Sequence, residues 1–250
     1  MREPTTPRAL GDPRVRRERA EHVRDPHVAP INALVDRIAE REGCGALPYA
    51  DPLSGGVDAE VLFVLRAPEA DADPDRVGTR FLSLDNDDRV AALQFSVFRE
   101  VGLPRMRTAG WNLCPFPLAN PGGAPTDAEV ARAIPYHREM LAMLPKLKLV
   151  VLFGAAPRDR WPRRLHRDVP TIVGASPGWP GISRPENRRS YDAAVVAAAR
   201  AIGIDARVPA GTAATAPRPR AAEPRGERGA RVCRGCWTLM PASGVCDSCR

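Results

Sequence analysis

At 250 residues the chain has room for one domain of ordinary size plus tails. No segment approaches the roughly 20 apolar residues that span a bilayer, and Met1 to Asp25, rich in Arg, Pro, Glu and Asp, lacks the apolar centre of a secretory signal, so a cytosolic protein without a membrane partner is expected. The net charge is +7 and nearly all arginine, since only Lys146 and Lys148 are lysines; guanidinium pairs bidentately with phosphate and suits a DNA partner, but an Arg-, Ala- and Pro-rich composition from a GC-rich genome gives the same excess.

Residues 1–25 read as a basic disordered tail with a short helix available across Val15 to Arg24. From His27 apolar residues recur at helical spacing (Val28, Ile31, Leu34, Val35, Ile38), and Gly43 and Gly45 end the segment. Val61 to Leu65 is a continuous apolar run, as expected of a strand buried on both faces, and similar runs follow at Ala109 to Leu113, Leu149 to Phe153 and Thr171 to Val173. Helical patterns lie between and after them: Arg89 to Val101, Thr126 to Leu144, Arg158 to His166 and Arg184 to Ile202. This alternation predicts a three-layer α/β/α domain over residues 26–204 with a central four-stranded parallel sheet, whose ligands sit at the carboxyl ends of the strands. Residues 205–229 are Ala, Pro, Arg and Gly without apolar periodicity and read as a flexible linker.

Four of the six cysteines close the chain as two Cys-x-x-Cys pairs, Cys233 with Cys236 and Cys246 with Cys249, nine residues apart. Four thiolates so spaced make a closed tetrahedral site, so residues 230–250 are expected to be a small zinc ribbon folded by structural Zn2+. Two disulfides or redox pairs are the competing reading. Cys44 and Cys114 are too few for an iron-sulfur cluster, which takes four ligands, and read as ordinary semi-buried thiols.

The ordered pieces PYADPLSGGVDAEVLFVLRAPEAD from Pro48, GTRFLSLDNDD, GWNLCPFP, LVVLFGAAPRDRW and VGASPGWPGISRPENR together resemble the uracil-DNA glycosylase superfamily over roughly residues 27–203, nearest to an actinobacterial-type branch with a DNDD signature. The resemblance implies an enzyme of base excision repair that flips a deaminated base out of DNA and hydrolyses its N-glycosidic bond, acts as a monomer and needs no cofactor for the chemistry. It implies that Asn112 reads the base, accepting from uracil N3–H and donating to O4, where cytosine presents the opposite pattern. Asn at a strand end also caps loops.

Phe81 matches the ring on which the flipped base stacks, or else is a core ring under a loop, and Ala67 and Pro68 follow the first strand run at the same pocket. Asp87 or Asp88 is expected to cap the helix that starts there, leaving Asp85 or Asp87 to orient the attacking water or to stabilise the sugar cation. Ser176 and Pro177 match the phosphate-pinching turn. Trp179 and Ile182 stand where an apolar wedge fills the hole left by a flipped nucleotide, although Trp179 can equally pack on the helix below.

Two positions depart from the family pattern. Arg66 stands where a polar or acidic group is usual, with Glu69 three residues later as the nearby carboxylate, and Gly174 replaces the histidine that donates to the leaving base. Two functions therefore stand side by side: a monofunctional glycosylase, or a weakened or inactive relative that binds DNA and recruits a protein partner through the ribbon.

Overall fold

The computed structural model describes residues 1–68 and 80–207, all within one unit of the chain. Four strands, β2 (Val61–Leu65), β4 (Thr108–Asn112), β5 (Leu149–Phe153) and β6 (Thr171–Gly174), form one sheet in the order β4-β2-β5-β6, with every pair parallel. Two further strands, β1 (Tyr49–Ala50) and β3 (Phe81–Leu82), pair parallel in a separate ribbon. The helices are α1 (Pro13–Glu21), α2 (Ala29–Glu42), α3 (Arg89–Val101), α4 (Asp127–Ala142), α5 (Ala155–Arg160) and α6 (Pro185–Ala201). No described helix is long and apolar enough to cross a membrane.

The continuous apolar run of β2 follows from cover on both faces. Leu62 and Val64 enter a core with Ile31, Leu34, Ile38 and Met140 of α2 and α4. Val61 and Phe63 enter the opposite core with Val97 and Phe98 of α3 and Val195 and Ala199 of α6. Phe63 stacks on Phe153 at 5.5 Å between centroids, which locks β2 to β5 on that face. The three-layer α/β/α architecture with its four-stranded parallel sheet is therefore present as expected.

Local signals set the helix ends. Asp88, not Asp87, caps α3, its carboxylate accepting from Ala91 N at 2.8 Å, and Gly102 ends that helix at φ 74°. A capping box between Thr126 and Glu129 starts α4, and Glu129 also holds Ala119 N at 2.9 Å, which ties the loop after β4 to that helix. The helical pattern over Arg158 to His166 is broken into α5 and a 3-10 turn, Arg163–His166, because Pro162 interrupts it.

The largest difference from expectation lies at the N-terminus. The short helix expected there is present as α1, with Asp12 as N-cap, but residues 1–25 are not a solvated tail, since Leu10 and Arg19 are buried at 0% and 1% exposure. Arg19 Nη1 donates to Asp51 Oδ1 at 2.6 Å and its Nη2 to Asp85 Oδ2 at 2.9 Å. Arg105, from the turn before β4, grips the same Asp85 through Nη1 and Nη2 at 2.7 and 2.9 Å. Ser83 Oγ donates to Asp51 and accepts from Asp85 N. Two cations and two anions thus neutralise one another inside the protein and bind α1, the loops after β1 and β3, and the approach to β4 into one clamp. Composition cannot announce such a clamp, because each of its residues reads as a surface charge until its partner is known.

Candidate functional site

In a sheet of this order the chain runs from β2 outward to β4, then crosses back to β5, so connections leave in opposite directions between β2 and β5. The carboxyl ends of those two strands form the switch-point crevice where ligands of doubly wound sheets bind. The last paired residues along this edge are Asn112 with Leu65 and Phe153 with Gly174. At about 4.8 Å per strand they span ~14 Å from β4 to β6.

Asn112 stands at one end of this edge, 3% exposed as a residue, and its carboxamide makes no hydrogen bond to a described residue. Its amide atoms are not among the fully buried polar atoms left unpaired, so they meet solvent at the carboxyl edge of the sheet and are open to an external partner. Phe81 is 2% exposed and adjoins Leu82, whose Cβ lies 3.8 Å from where a Gly110 side chain would begin. The ring's strand thus packs over β4 two residues before Asn112. Ala67 is buried in the α2/α4 core and Pro68 is half-buried, both at the β2 side of the crevice. Arg66 turns toward the loop after β4, donating to Gly123 O at 2.7 Å.

At the far side, Gly154 follows β5 with φ 87°, and a Cβ there would meet Ser176 Cβ at 3.1 Å, so glycine lets the two loops touch. Ser176 is exposed and its Oγ accepts from Gly178 N at 3.2 Å, while Pro177 is buried. Arg184, the N-cap of α6, makes no side-chain cap, so the first-turn amides of that helix are left for other acceptors. Trp179 is 53% exposed, so about half of its surface stays available to a ligand. Ile182, expected on the same wedge, is instead 3% exposed in the α3/α6 core, because its 3-10 turn folds it inward beneath α6.

The structure also gives the reason for glycine at 174. A Cβ there would lie 2.7 Å from Ala194 Cβ and 2.9 Å from the Phe153 ring, so no side chain fits without displacing α6.

The two described carboxylates singled out in the sequence are not brought to Asn112. Asp85 is 0% exposed, with both oxygens held by guanidinium groups, and Arg105 pulls it toward the amino end of β4. Thr108 and Asn112 are ~13 Å apart along the strand, at 3.3 Å per residue. Asp87 is half-exposed and faces the N-terminal segment, 3.7 Å from Arg8 Nη1. Glu69 and the ribbon cysteines Cys233, Cys236, Cys246 and Cys249 lie outside the described residues. Among the described residues no group of three or more His, Cys, Asp or Glu side chains assembles as metal ligands.

Sequence reasoning passed over His137. It is fully buried on α4, and its Nδ1 accepts from Trp111 Nε1 at 3.1 Å, leaving the proton on Nε2, which has no partner. Burial lowers its pKa to about 4. Since the folded value lies below the unfolded 6.5, the fold is fully favoured above pH 6.5 and loses stability as pH falls toward 4. At 1.36 kcal/mol per pKa unit the loss approaches ~3 kcal/mol. Thermal unfolding followed from pH 7 to pH 4 should show this decline, flattened in His137→Gln; parallel profiles for the two proteins would contradict it.

Cys114 is likewise buried, its thiol raised to about 12 by desolvation, and so is chemically quiet. The chain matches no family model and no curated protein sequence.

Proposed function

We propose that the chain is a uracil-DNA glycosylase-like hydrolase that cleaves the N-glycosidic bond of uracil, or a related deaminated base, in DNA. The observation that carries this reading is the Asn112 carboxamide, at the carboxyl end of β4, with no hydrogen bond to a described residue and its amide atoms open to an external partner beside the sheet's switch point. It is supported by Phe81 on the strand that packs over β4, and by the exposed Ser176 and Trp179 on the opposite rim. In this reaction the flipped base lies between the Phe81 ring and the Asn112 amide, with Ala67 and Pro68 walling the pocket. The bond from the sugar C1′ to the base breaks with its electron pair going to the base, and water adds at C1′ and gives up a proton.

With Asp85 held in the clamp and Asp87 beside Arg8, Glu69, the residue after Pro68, is the carboxylate we assign to that water. The Ser176 turn and the amides opening α6 hold a flanking phosphate, and Trp179 alone serves as the wedge.

The test is base release from uracil-containing oligonucleotides, single-stranded and opposite guanine, by the full chain and by Glu69→Gln. Release by the wild type that falls at least 100-fold in the variant is expected. Wild-type release that the variant retains would remove Glu69 from the chemistry. No release from uracil or other deaminated bases, with DNA binding intact, would leave the second reading, a DNA-binding and recruiting module. That reading draws on Gly174, packed too tightly to carry the donor that the family places there.

The four C-terminal cysteines hold one structural Zn2+ in this proposal and make the ribbon a docking module for DNA or a protein partner. Metal analysis should find one zinc per chain, lost on Cys233→Ser or Cys246→Ser. A metal-free chain with these cysteines paired as disulfides would overturn the assignment.

A further inference from the structure

A second concave site lies at the other end of the sheet. It is an open cleft of about 660 Å³ lined by Arg163, Arg164, His166, Arg167, Pro170 and Thr171 among others. Thr171 opens β6, which is parallel to its neighbour, so the cleft sits at the amino ends of the strands while Asn112, Gly154 and Ser176 mark the carboxyl ends.

No carboxylate lines it. Of the neighbouring acids, Asp159 pairs with Arg158 at 2.7 Å and Asp127 with Arg160 at 2.5 Å, while Asp168 is exposed and is not part of the lining. Arg163 donates to Arg158 O at 3.1 Å, and Arg164 and Arg167 are exposed with no ion pair among the described residues. Three guanidinium groups on one short turn therefore line an open space of ligand size in which no carboxylate takes part, with Asp159 close enough to Arg163 to feel its charge.

The lining also says what the ligand is not read by. His166 is the sole ring in the wall, and both its nitrogens are committed, Nε2 accepting from Trp161 Nε1 at 2.6 Å and Nδ1 facing Val169 O at 3.3 Å. Burial lowers its pKa, so the ring adds no charge. Recognition in the cleft is by charge and not by base edges or stacking. We infer that it holds the phosphodiester backbone of a DNA strand, as a sequence-independent contact separate from the Asn112 crevice. This rests on DNA being the partner and is independent of whether the crevice excises a base.

The experiment is fluorescence anisotropy of the full chain with a uracil-free, single-stranded 20-mer over a salt series, beside Arg163→Gln/Arg164→Gln/Arg167→Gln. The altered side chains are exposed, and an unchanged melting temperature checks that the fold is intact. Three lost phosphate contacts should reduce the slope of log K against log salt by about 2 and weaken binding on the order of tenfold at 0.1 M salt. Inorganic tripolyphosphate should compete for the wild type and not for the triple variant.

A wild-type slope in the triple variant overturns the inference, whatever tripolyphosphate does, and leaves the glycosylase reading standing if uracil is released. Arginine-dependent binding without base release does the reverse.

Discussion

Asp85→Asn is expected to destabilise the domain by about 3–5 kcal/mol, the usual cost of breaking a buried ion pair by removing one partner. The carboxylate is 0% exposed and receives three guanidinium hydrogen bonds from two arginines. The amide variant matches its shape but leaves Arg19 and Arg105 with one buried negative charge, on Asp51, where there were two, besides the exposed Glu3 at 3.6 Å from Arg105 Nε. For a domain of this size the melting temperature should fall by roughly 10 °C. Removal of residues 1–25 should do comparable damage, since it takes away Arg19 and the buried Leu10 together. Both are read by thermal unfolding. If Asp85→Asn melts like the wild type and loses only base release, Asp85 acts on water and the clamp is incidental.

Asn112→Ala is expected to lower kcat/KM for uracil release by roughly 100- to 1000-fold while leaving the melting temperature near the wild-type value. The two halves of this expectation share one cause. An amide that caps a loop has a partner inside the protein, and deleting it orphans that partner at a cost of about 1–3 kcal/mol. The Asn112 carboxamide has no such partner among the described residues, so its removal strands nothing in the free protein and is felt when a base must be read. A variant that melts markedly lower and still releases uracil would make Asn112 a structural cap.

The three aspartates of the stretch Asp85 to Asp88 are all held in structural contacts. Asp88 caps α3, Asp87 meets Arg8 and Asp85 closes the clamp. The proposal therefore takes the carboxylate for the water from Glu69, which follows Pro68 in the sequence, while Arg66 donates to Gly123.

By itself the sequence determined the layers. Apolar runs such as Val61–Leu65 and Leu149–Phe153 are local, two-faced signals, and caps such as Thr126 with Glu129 act within one turn, so strands and helices could be placed to within a few residues. Asn112 and Ser176 are singled out by the family resemblance, and the parallel sheet gathers the ends of its strands and the loops after them at one edge.

Only the tertiary structure decided which charges are buried. Arg19, Asp51, Asp85 and Arg105 come from four separate segments, and their burial depends on mutual neutralisation that no local pattern encodes. It decided too that Ile182 turns inward while Trp179 stays exposed, and that the packing of α6 on β6 leaves no room for a side chain at Gly174. Each of these is a property of contacts between distant segments. Periodicity reports which face a residue presents, and the partner met on that face is set when the layers close.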